Sequence, residues 1–219
     1  MYVKLFNKFN LICTVISLFL LSTCAFAQNS QNSGSRSYAS DNGGKNEVSA
    51  QISGIFTHDS VGNSITQHST NSGGFLLGYR GYFKDWLGVD AAYGYARNTQ
   101  QNITTTGTFN VQSNINQWTG ALVASLPLGH FHPFALAGGG GLTFSPTTSA
   151  KTAVPGVTRQ TVGAFLYGGG ADYFLGKHLG VRGEYRGFVY DRPNFGLPIL
   201  NSNAKTHSAQ TSAGVVLRF

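Results

Sequence analysis

His207 and Ser208 set a base beside a nucleophile, and the chemistry they suggest is acyl transfer. Adjacent residues of an extended chain point to opposite faces, so without a bulge this pair cannot share a proton. His130 and His132, two residues apart, would offer two imidazoles to a metal if extended. They lie in a short turn before Pro133 with no acidic or cysteine neighbour, which reads as an interfacial turn. Gly138 to Gly141 is a four-glycine run, yet no Lys-Ser/Thr follows as a phosphate loop requires. No catalytic, cofactor-binding or metal site assembles from these residues, and neither a cofactor nor an enzyme is expected.

The charged residues are more informative, because they are scarce and their spacing is regular. They make up 11% of the 219 residues. Arg80 and Asp90 lie symmetrically about Asp85, and Asp172 and Arg182 about Lys177. If each pair spans a hairpin, each acid sits across from a base on the neighbouring strand. Glu184 falls one same-face step from both Arg182 and Arg186. With Glu47 and Arg218 these form a balanced set of four acids and four bases, predicted to share one interior: Glu47, Arg80, Asp90, Asp172, Arg182, Glu184, Arg186 and Arg218. Buried charges persist only when paired.

The elements that would hold this set are strands. From His207 to Phe219 the apolar positions Ala209, Ala213, Val215, Leu217 and Phe219 alternate with small or polar ones, a period of two. Val48, Ala50, Ile52, Gly54 and Phe56 repeat the pattern, as do Phe75 to Phe83, Leu87 to Tyr95, Trp118 to Leu126, Phe165 to Tyr173 and Val181 to Val189. In the fifth strand the outer face is read as Phe134, Leu136, Gly138, Gly140, Leu142 and Phe144. Eight such strands are joined alternately by short turns and by the long polar stretches 58–72, 97–116, 145–161 and 191–206. These stretches lack apolar periodicity and are expected in water. The fold class is all-β: an eight-stranded antiparallel up-and-down transmembrane β-barrel with short periplasmic turns and long extracellular loops. Stretches of about 9–11 residues suffice for a tilted strand to span a bilayer. A soluble barrel would bury its apolar face instead.

Export agrees with this. Lys4 and Lys8 precede an apolar run, Leu11 to Leu21, and Ala25-Phe26-Ala27 offers a cleavage site. Residues 1–27 read as a signal peptide, 28–46 as a flexible Ser/Asn/Gly-rich periplasmic lead-in, and 47–219 as the barrel. Both cysteines, Cys13 and Cys24, fall in the leader, so the mature chain has no disulfide to form. Leu21 to Cys24 offers a lipidation site as the alternative to cleavage after Ala27. The net charge of +7 is not clustered into a basic footprint, so nucleic acid is not an expected partner.

At Tyr173 to Phe188, YFLGKHLGVRGEYRGF, the sequence resembles the seventh-strand hairpin of small OmpA-like, opacity-like outer-membrane barrels, and YFKDWLGVD at 82–90 is a weaker echo. The resemblance implies an outer-membrane location in a Gram-negative-type bacterium, but no shared activity, because this fold carries anchors, adhesins, channels and enzymes. It implies that the terminal Phe219 is the signal read by the barrel assembly machinery. The peptidoglycan-binding domain of the larger members does not follow the barrel, so wall anchoring is not expected. The expected function is a structural or interaction protein, of adhesion or envelope-integrity type. A narrow low-conductance channel is the alternative, and a lipid-modifying enzyme is further off. Outer-membrane lipids are expected partners, with Lys151 and Arg159 as headgroup contacts; an extracellular ligand stays unnamed.

Overall fold

Asn46 and Phe219 close the ring. The Asn46 amide donates to the Phe219 carbonyl at 3.1 Å, and the Phe219 amide returns the bond at 2.9 Å. The computed structural model describes residues 45–58, 60–62, 65–69, 71–104, 107–197 and 204–219. The signal peptide and nearly all of the lead-in lie outside the described residues.

The ring is built from β1 (Asn46–Thr57), β4 (Ser72–Lys84), β5 (Leu87–Thr104), β6 (Gly107–Ser125), β7 (Phe131–Pro146), β8 (Gln160–Phe174), β9 (Leu179–Asp191) and β10 (Lys205–Arg218). Each pairs antiparallel with its sequence neighbour in this set, and β1 with β10 completes the circle. A closed antiparallel ring leaves no backbone edge for lipid to meet. The even strand count returns both ends to the periplasmic side.

Outward positions carry the apolar side chains. Ile52 is 77% exposed and Trp118 62%, with Leu122, Phe165, Tyr173 and Phe219 also on the outer wall. Water would not tolerate such a continuous band, and hydrocarbon favours it.

The strand β7 departs from expectation. Phe134, Leu136, Leu142 and Phe144 are buried in the lumen, while Ala135 and Ala137 face outward. The reason is size. Both faces of this strand are apolar, so alternation does not choose between them. The larger side chains go inward, where neighbouring strands supply glycine: Phe134 pairs with Gly170 and Leu136 with Gly168. A Cβ at Gly170 would stand 2.9 Å from the Phe134 ring, so the ring needs that glycine.

The polar stretches are also more ordered than expected. Residues 97–116 largely continue β5 and β6 as one long hairpin, with Arg97 opposite Asn114 and Thr104 opposite Gly107. Within 58–72, β2 (Ser60–Gly62) and β3 (Ile65–Ser69) form a small hairpin that adds to the upper end of β5. Between β7 and β8 lies a short helix, α1 (Thr148–Ala153), capped by the Thr147 hydroxyl. Nor do the third and fourth stretches simply sit in water. Ala150, Val154, Val157 and Phe195 are buried with Val111, Phe144 and Tyr190 in one apolar cluster. Together they roof the extracellular mouth.

Candidate functional site

The candidate site is the lumen. Inward side chains from neighbouring strands meet there because the period of two aims every second residue at the axis. The eight charged residues assigned inward by alternation gather in its periplasmic half, and all eight are buried.

At the bottom, Glu47 holds two arginines. Its Oε1 accepts from Arg218 Nε and Nη2 at 3.1 and 2.9 Å, and its Oε2 from Arg182 Nη2 at 2.6 Å. Arg182 forks onto Asp172, with Nε to Oδ1 at 2.6 Å and Nη2 to Oδ2 at 2.8 Å. This is the planar two-point pairing that suits a guanidinium and a carboxylate. Arg80 donates to Asp90 Oδ2 from Nε and Nη2 at 3.4 and 3.3 Å. Its Nη1 lies 4.0 Å from Glu47 and 3.7 Å from Asp172, without a hydrogen bond.

One step higher, Arg186 spans the lumen. It donates to Glu184 Oε1 and Asp90 Oδ1, each at 2.9 Å, and to Thr119 Oγ1 at 3.2 Å. Asp90 is thus shared between Arg80 beside it and Arg186 across the barrel. Glu184 is held on one side by Arg186 and on the other by Gln51 Nε2 at 3.2 Å; Arg182 turns down to Asp172 and Glu47 instead. Above this tier, Gln117, Gln210 and Ser53 are linked at 2.8 and 3.2 Å.

Several participants escaped alternation and charge counting. The Phe134 ring lies under the Arg80 and Arg182 guanidinium carbons, at 4.1 and 5.3 Å from its centroid. The Phe174 ring lies 3.6 Å from Arg218 Cζ. A desolvated guanidinium over an aromatic face gains electrostatically. His132 Nδ1 meets Arg218 Nη2 at 3.1 Å, so that nitrogen accepts, and its Nε2–H donates to the Gly129 carbonyl at 2.7 Å. An aromatic placed opposite glycine on the next strand was the signal available for Phe134.

Higher still the lumen turns apolar. Ile55, Ile115, Leu142, Phe144 and Phe188 surround a cavity of about 10 Å³, with Asn98, Thr57, Tyr190 and Ser208 at its walls. That is room for about one water. Phe195 covers it from above, edge-on to Phe144 at 6.4 Å. The Phe195 backbone has a φ of 52°. Its amide donates to Gln160 Oε1 at 2.8 Å, and its carbonyl accepts from the Thr158 amide at 2.8 Å.

The remaining candidates fall elsewhere. Ser208 points inward to Thr57 and Tyr190, each hydroxyl at 2.9 Å, while His207 lies on the outer face against Tyr167. Base and nucleophile are therefore on opposite sides of the wall. His130 Nδ1 is bonded to the Phe174 carbonyl at 2.8 Å. Lys151 and Arg159 are exposed on the roof segment, apart from the charged tier. Phe219 projects outward while its backbone is tied to Asn46.

Known proteins agree with this architecture. The solved structure of the outer-membrane protein OprG from Pseudomonas aeruginosa is similar at 15% identity, over 81% of this chain and 97% of that one, with a TM-score of 0.57. Neisserial surface protein A is similar at 14% identity, over 80% and 97% of the two chains, with a TM-score of 0.57. At these identities the likeness shows the fold alone. No curated protein matches. The family described as outer membrane protein beta-barrel domain matches residues 15–219. Given this match and the closed ring of lipid-facing strands, the chain belongs to the outer-membrane β-barrel protein family of Gram-negative bacteria.

Proposed function

We propose that this protein is a structural and interaction component of the outer membrane: a closed barrel that holds an extracellular polar surface in place and conducts little or nothing. The observation that carries this reading is the filled lumen. A charged tier, a glutamine–serine tier and an apolar tier lie one above another, with Phe195 and α1 over the top. An eight-stranded barrel is just wide enough for side chains to fill it.

What it displays is the long β5–β6 hairpin, flanked by β2 and β3. Its arms are dominated by Asn, Gln and Thr, with Arg97 the one charged residue in 97–116. Uncharged amides and hydroxyls suit adaptable hydrogen bonding to another surface. We assign the hairpin the adhesion or envelope-integrity role, outer-membrane lipids the role of solvent, and the terminal strand that of substrate for the assembly machinery.

The test shortens the hairpin, replacing 101–110 by an Asn-Gly turn between the paired Gln100 and Val111, which leaves Asn98, Val111 and Ser113 and the membrane-spanning rows intact. Bacteria carrying this variant should retain a folded barrel yet lose attachment to surfaces or resistance to detergent. Unchanged attachment and unchanged detergent resistance would overturn the assignment.

A further inference from the structure

The geometry points to a second site, on the outer wall at the extracellular rim: His58, His207 and Tyr167 form a binding site for a divalent late transition-metal ion, Cu(II) above the others.

The backbone brings the three together. The His58 amide donates to the His207 carbonyl at 3.0 Å, so the two residues face each other across the β1–β10 seam. By strand parity both point outward, and their ring centroids are 6.2 Å apart. Two imidazoles on one ion, each with a metal–nitrogen bond of about 2.0–2.1 Å, place their centroids roughly 5–6 Å apart. A small turn of either ring therefore closes the site.

The third group comes from two strands away. Tyr167 on β8 stands opposite Gly187 on β9, and Gly187 stands opposite Ala209 on β10. Because Gly187 has no side chain, the Tyr167 ring lies across β9. A Cβ at Gly187 would come within 2.4 Å of the ring. The ring then lies end to end with His207 and nearly in its plane, with centroids 5.8 Å apart and an interplanar angle of 22°, and its hydroxyl meets His207 Nε2 at 2.5 Å. An oxygen ligand thus already stands beside the His207 nitrogen, and an entering ion takes the place of the hydrogen bond, parting the two atoms to about 3 Å.

Two neutral imidazoles and a phenol oxygen favour a late divalent ion, and copper leads that order of affinity. On binding, His58 and His207 each give a nitrogen lone pair. The Tyr167 oxygen gives a third bond and releases its proton to water, and water fills the remaining positions. No acidic side chain is needed. Packing of an aromatic ring over glycine is the alternative account of the same residues, and it requires no ion.

The test titrates CuCl2 into the protein purified in detergent at pH 7.5, followed by calorimetry and electron paramagnetic resonance. The expected result is one Cu(II) per barrel with two-nitrogen hyperfine structure. His58→Gln and His207→Gln should each remove one nitrogen and weaken binding at least about tenfold, the scale lost even when outer ligand partners are removed. Tyr167→Phe should abolish the phenolate-to-copper absorption band. Gly187→Ala leaves every ligand in the chain but displaces the ring, and should weaken binding in the same direction. His130→Gln, at the opposite end of the barrel, should change nothing. Folding of each variant is checked by its heat-modifiable gel mobility. Absence of saturable binding by the unmutated protein, or binding that survives His207→Gln in a folded variant, would overturn the site.

Discussion

Phe134 lies beneath Arg80, with the guanidinium carbon 4.1 Å from the ring centroid and both side chains buried. The contact joins β7 to β4 across the lumen, so an apolar side chain holds the charged tier in place. Phe134→Ala removes the platform under two arginines and leaves a cavity, a change that costs about 3–5 kcal/mol in a packed interior. Phe134→Leu should cost less, because it keeps volume and loses only the aromatic face. Urea unfolding in lipid vesicles measures both, and a Phe134→Leu barrel as stable as the unmutated one would show that the ring face contributes nothing.

Asp172 and Arg182 test the pairing itself. Removing one member, as in Asp172→Asn, leaves Arg182 with Glu47 alone and should destabilise the barrel by about 3–5 kcal/mol. The double variant Asp172→Asn with Arg182→Met should lose less than the sum of the two single losses. Strict additivity in the same unfolding assay would contradict a direct coupling.

How much of this was legible can be argued from the strands. Charged residues on a period of two, placed symmetrically about Asp85 and Lys177, marked the hairpins and their inward faces, because a membrane wall separates apolar from charged positions sharply. The same reasoning failed at β7, where both faces are apolar and size decided: Phe134 and Leu136 fit against glycines that belong to the next strand. It failed again at 97–116, because above the bilayer the outer face turns polar while Val111 and Ile115 point inward, so the apolar outer row that marks a lipid-facing strand is lost. Phe195 gave no signal, since a single aromatic in a polar stretch acquires meaning only when the chain folds it over the mouth.

Phe195 holds the roof. Phe195→Ala should free 154–159 from the mouth, raising hydrogen exchange at Val154 and Val157, while the charged tier below stays protected. Exchange that rose equally through β9 would indicate loss of the whole fold instead.

Deleting Phe219 removes the reciprocal backbone pair with Asn46 at the closing seam. The expected outcome is slower folding into vesicles without any assembly machinery, and a larger defect in cells, where the terminal aromatic is also the proposed signal. Equal defects in both settings would show that closure alone explains the residue.

The filled lumen is the central claim, and single-channel recording in a planar bilayer tests it most directly. The unmutated protein is expected to give no steady openings above the baseline, because three packed tiers and a roof stand in the path. Glu184→Ala, which leaves Arg186 with Asp90 and Thr119, is expected to lower stability first and to leak only slightly. Large, steady conductance from the unmutated barrel would contradict the account.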